Sequence, residues 1–89
     1  MRGEVDIICE RAGTVVFVEV KRWNRGSPST LEHAIGLRKQ QKIVDAARYF
    51  LMKESGYREY RQRFDVVLFH ETDRLIEHIE GAFESPWPG

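Results

Sequence analysis

The stretch Val15-Val16-Phe17-Val18-Glu19-Val20-Lys21 constrains this chain more than any other. β-Branched and aromatic side chains lose freedom in a helix and fit a pleated surface, so residues 15–21 predict a strand. Alternation then puts Val15, Phe17, Glu19 and Lys21 on one face and Val16, Val18 and Val20 on the other. Two opposite charges therefore share a face with apolar residues. Ions are costly in such a place unless they are paired or bind a cation.

The residues ahead of this run suggest its partner. Residues 4–9 (Glu-Val-Asp-Ile-Ile-Cys) predict a first strand, with Val5, Ile7 and Cys9 on one face and Glu4, Asp6 and Ile8 on the other. Residues 10–14 supply a turn with Gly13 where positive φ is needed. In the resulting hairpin, Asp6 and Glu19 face the same side near the open end. Cys9 lacks a partner for a disulfide or a multi-cysteine zinc site and reads as a small buried hydrophobe.

Residues 23–30 have the Asn, Gly, Ser and Pro content of a loop, with Ser29 or Thr30 as helix N-cap and Glu32 in the first turn. Gly36 divides that opening turn from a main helix over residues 37–53. Ile43, Ala47, Phe50 and Leu51 form its sheet-facing stripe, and Arg38, Lys42, Asp45 and Tyr49 lie on another side. Gln40 is a polar exception near the start of the stripe. Residues 54–62 read as loop, the nearly continuous apolar run 64–69 as a buried strand, and residues 75–79 as an edge strand, with a helical turn as the alternative. Residues 84–89 form a tail. No repeat or second domain is visible in the 89 residues, so one small domain is expected.

Charge is unevenly distributed although it sums to zero. Residues 21–63 carry eleven of the fourteen Lys and Arg against four acids, leaving the two ends acidic. Such a basic middle suits a phosphate backbone and equally a solvated helix face, which charge alone does not separate. No apolar run approaches membrane-spanning length, and residues 1–4 lack a signal-peptide core, so a cytoplasmic location without membrane contact is the expectation. His33, His70 and His78 lack paired ligand spacing. Trp23, Tyr57 and Tyr60 read as packing residues, with base stacking as the alternative.

Asp6 and Glu19 offer hard oxygen ligands of the kind Mg²⁺ or Mn²⁺ takes in ones and twos, keeping waters that phosphate oxygens can replace. Lys21 lies on the face of Glu19, where an ammonium can orient water and stabilise charge on phosphorus. Gln40 approaches from the helix. Asp, then Glu-x-Lys on the next strand, then a helix, is the order of the PD-(D/E)XK nuclease core. A solvent-facing ion pair is the plain alternative for Glu19 and Lys21.

Six stretches together resemble successive blocks of the YraN-like family of predicted endonucleases. They are Gly3-Glu4-Val5-Asp6-Ile7-Ile8, Val16-Phe17-Val18-Glu19-Val20-Lys21, Arg38-Lys39-Gln40, Ala46-Ala47-Arg48-Tyr49-Phe50-Leu51, Arg63-Phe64-Asp65-Val66-Val67, and residues 79–83 ending in Ala82-Phe83. That family is similar to the archaeal Holliday-junction resolvases. The resemblance implies an α/β restriction-endonuclease-like domain over residues 1–89, with a mixed sheet, a hairpin, one main helix and further strands. It implies a Mg²⁺ or Mn²⁺ site at Asp6, Glu19 and the Val20 carbonyl, Lys21 as catalytic lysine and Gln40 as helix-borne partner. Glu4 assists in the same block, or serves structurally.

Nucleic acid, above all DNA, is the implied partner, with Arg22, Arg25, Arg38, Lys39 and Lys42 along its path. The family carries a helix and a strand ahead of the first block, and this sequence is expected to lack that helix. It also shows Trp23 where the family has a basic residue. One sheet face is then left for a second copy, and a homodimer or exchanged element is expected. Two functions follow from the resemblance: a metal-dependent nuclease using activated water, or a nucleic-acid-binding or assembly module that keeps the fold without turnover.

Overall fold

The computed structural model describes residues 5–23, 35–72 and 74–84. Strand β1 (Ile7–Arg11) and strand β2 (Thr14–Trp23) form the hairpin. Both strands are longer at the turn than the sequence suggests, because the turn is only Ala12-Gly13. Both residues have positive φ, 49° and 81°, as a two-residue turn matched to strand twist requires. Glycine meets that demand without strain; Ala12 does not.

Helix α1 (Leu37–Lys53) follows the predicted bounds, and Gly36 occupies the N-cap with extended backbone. The predicted caps Ser29 and Thr30 lie outside the described residues. A short 3₁₀ turn, Ser55–Tyr57, leads into strand β3 (Arg61–His70), which lies parallel to β2. Strand β4 (Ile76–Phe83) returns antiparallel along β3. The mixed sheet runs β1-β2-β3-β4, with α1 in the connection between its two parallel central strands.

The core lies between α1 and one face of the sheet. Ile43, Val44 and Ala47 of the helix meet Val15, Phe17, Phe64, Val66 and Leu68, with Ile35 beside them. Each large side chain so buried contributes about 1.5–3 kcal/mol through its apolar surface. Phe17 is the centre: its ring stacks on Phe64 at 5.5 Å and meets Phe50 edge-on at 6.0 Å. Phe50 continues to Tyr57 and Tyr60, whose hydroxyl donates to Glu10 of β1, so these tyrosines tie the helix exit to the hairpin.

The opposite face carries Ile7, Val20 and Ile76, which are 46%, 41% and 67% exposed, while Val16 and Val18 on it are buried. Cys9 is exposed, contrary to the sequence expectation. Its strand is the sheet's edge, and every residue of β1 is exposed, so apolar composition there did not mean burial.

Candidate metal and nucleic-acid site

Pairing of Ile7 with Val18 fixes the hairpin register, and one step further out Asp6 falls opposite Glu19. An Asp6 Oδ2 accepts the Val20 N–H at 2.8 Å, which holds the carboxylate at the open end. A strand residue's N–H and C=O leave on the same side, so the Val20 carbonyl also points past the start of β1. The two carboxylates are the ligands read from the residues themselves, and the carbonyl is the further ligand that the family resemblance implies. Glu4 lies outside the described residues.

Glu19 is 8% exposed, on the same face as Phe17 and at the end of the core. Its Oε1 is buried without a hydrogen-bond partner. Burial first, and the neighbouring Asp6 carboxylate second, push the Glu19 carboxyl above its ordinary value, with Lys39 acting in the other direction. Two carboxylates side by side contain no donor, so a proton or a cation is what the pair lacks. Among the described residues no third carboxylate, histidine or cysteine joins them as a cluster. Two carboxylates, a carbonyl and otherwise water fit Mg²⁺ or Mn²⁺, and do not fit a metal requiring an all-protein shell.

Lys21 follows Glu19 on the same strand face and is exposed. Among the described residues its ammonium has no ion-pair partner, which leaves it available to an incoming anion. Lys39, which the sequence suggested only for the phosphate path, instead reaches the carboxylates: its Nζ lies 3.5 Å from Glu19 Oε2. The signal for this was the position of Lys39 beside Gln40, one turn into a helix that starts at the strand ends.

Gln40 is half-buried, and its amide Nε2 donates to the Ile35 carbonyl at 2.9 Å. That bond fastens the chain entering α1. Arg38 and Lys42 lie exposed on the same helix, and Arg22 pairs with Glu71 at 3.0 Å. Arg25 falls outside the described residues. The first turn of α1 contains no acidic residue, while Arg38 and Lys39 stand at its positive end. Basic residues there oppose the helix dipole, a small cost that the Lys39–Glu19 pair offsets.

A second cluster was not visible in the sequence. Asp65, 1% exposed on the face away from α1, accepts from Arg63, His78 and the Gly81 N–H. A lone carboxylate in an apolar run was the available clue.

The sequence of residues 1–69 matches a family described as uncharacterised protein family UPF0102. The chain belongs to UPF0102. It is 46% identical to a UPF0102 protein of Desulforapulum autotrophicum over 88 residues, covering 93% of this chain and 69% of the relative. It is 39% identical to the UPF0102 protein of Treponema pallidum, covering 92% and 69% of the two chains. A UPF0102 protein of Acinetobacter baumannii is 34% identical, with 92% and 62% covered. This UPF0102 chain thus spans about two thirds of the length of these relatives. The match is consistent with the YraN-like resemblance. No described helix of the UPF0102 chain is long and apolar enough to cross a membrane.

Proposed function

We propose that this UPF0102 domain is a metal-dependent nuclease that hydrolyses phosphodiesters of nucleic acid, DNA foremost, with an activated water. The observation that carries the reading is the buried, unpartnered Glu19 Oε1 beside Asp6, at the end of an otherwise apolar face. Folding leaves Glu19 Oε1 without a partner and gives the pair only the partly exposed Lys39 ammonium at 3.5 Å, which is expected of a site built for a cation and costly for one built for stability.

Asp6, Glu19 and the Val20 carbonyl hold Mg²⁺ or Mn²⁺. The ion supplies Lewis-acid activation of water and positive charge beside the phosphoryl oxygens. Lys21 binds a non-bridging oxygen and stabilises the charge that grows there as the water oxygen bonds to phosphorus. The bond to the leaving oxygen breaks, and the proton lost by water passes to that oxygen, giving a phosphate monoester and a hydroxyl. Arg38 and Lys42 guide the backbone toward the start of α1. Gln40 acts at one remove, by fixing the helix start against Ile35.

Cleavage of branched, duplex and single-stranded DNA in Mn²⁺ tests the reading, beside Glu19→Ala and Lys21→Ala. Cleavage by the unaltered chain, lost in both variants, is expected. Cleavage surviving both substitutions defeats the site. The two-carboxylate ligand set favours one second reading, a nucleic-acid-binding module without turnover, for which DNA is bound and never cut.

A further inference from the structure

Lys39 stands where helix chemistry disfavours it and where the carboxylate pair needs it. Its ammonium faces Glu19 Oε2 at 3.5 Å, longer than the 2.7–2.9 Å of a tight charge-assisted bond. The Lys39 side chain is 40% exposed, whereas that of Glu19 is 10% exposed. The lysine can therefore withdraw into water on its four-carbon stem, and the carboxylate cannot follow. Lys21, two positions on along the same strand face, has no ion-pair partner among the described residues, so the two lysines reach this end of the sheet from different elements.

We propose that Lys39 is the site's resident counter-ion, a positioning residue that neutralises the Asp6–Glu19 pair in the metal-free protein and is displaced when a divalent cation binds. The inference rests on the metal reading above. A cation entering between the carboxylates meets a like charge already in place, so Lys39 sets the affinity downward and keeps the acidic pair from holding an ion too tightly to exchange. It also holds the start of α1 against β2 while no metal is present.

The test is Mn²⁺ binding by titration calorimetry on the unaltered chain, Lys39→Met, Lys39→Gln and Lys53→Met. Lys53 is at the far end of α1, over the Tyr49 ring, and reports the effect of net charge alone. Both Lys39 variants are expected to bind Mn²⁺ roughly five-fold more tightly, the scale of a partly exposed ion pair. Without metal they should melt below the unaltered chain, and Mn²⁺ should raise their melting temperature by more than it raises that of the unaltered chain. Lys53→Met should leave affinity unchanged. Equal or weaker binding by the Lys39 variants, or equal tightening by Lys53→Met, overturns the counter-ion role and leaves the metal site standing. Absence of Mn²⁺ binding in all four proteins overturns both.

Discussion

Arg63 and Asp65, two residues apart on β3, face the same side of the sheet and form a bidentate pair, with both N–O distances at 2.8 Å. Asp65 is buried and also receives His78 at 2.7 Å and the Gly81 N–H at 3.0 Å. The β3–β4 register shifts beside it, between Phe64 and Val66. Gly81, at φ 58°, turns its N–H into the carboxylate, so one side chain pins the irregular part of the edge strand.

Asp65→Ala should therefore cost about 1–3 kcal/mol, since it removes the acceptor that the Gly81 N–H, His78 and Arg63 share and leaves the backbone donor unpaired. Urea unfolding measures it. A loss within the error of the method would mean that β4 keeps its register through Phe64, Phe83 and Ile79 alone.

The same carboxylate predicts an acid limb. Burial is the largest single influence and pushes the Asp65 carboxyl upward, but hydrogen bonds from Arg63, Gly81 and His78 and the charge of Arg63 together outweigh it, and the group lies below its ordinary 3.8. A depressed carboxylate contributes stability that is present above the unfolded value and is lost as pH falls through the folded one. Melting temperature should drop on acidification below 3.8, and Asp65→Asn should show a shallower drop there.

Glu19 behaves in the opposite way. Glu19→Gln removes a buried charge beside Asp6 and gives the orphaned position an amide that can donate to Asp6. The variant should be as stable as the unaltered chain or more stable by up to about 1 kcal/mol, while losing Mn²⁺ binding. Differential scanning calorimetry with and without Mn²⁺ separates the two effects. A clear destabilisation would identify the Glu19 charge as part of the fold.

Helix α1 and the central strands were legible because their patterns are continuous: residues 37–53 repeat at helical spacing, and 15–21 and 64–69 are β-branched and apolar. The Asp6–Glu19 juxtaposition followed from strand alternation and hairpin order. Cys9 misled, because composition does not say which strand is an edge. Of the Asp65 cluster, only Arg63 is a neighbour along the strand; His78 and the Gly81 N–H come from β4 across an irregular register, which sequence does not reveal. Lys39 was read as part of a basic surface, since sequence reveals the sign of a charge but not the carboxylate it meets after folding.

Gln40 gives the clearest separation of a site role from a structural one. The sequence places its amide on the sheet-facing stripe, toward the metal ligands. In the fold the amide donates to Ile35, whose side chain is 2% exposed in the core, and so braces the segment that positions Lys39. Gln40→Ala removes one partly buried hydrogen bond and should cost about 1 kcal/mol. Because Asp6, Glu19 and the Val20 carbonyl are untouched, Mn²⁺ affinity should remain that of the unaltered chain. Chemical unfolding and Mn²⁺ titration on the same preparation measure both, and a loss of metal affinity without a loss of stability would place Gln40 among the groups that meet the ion.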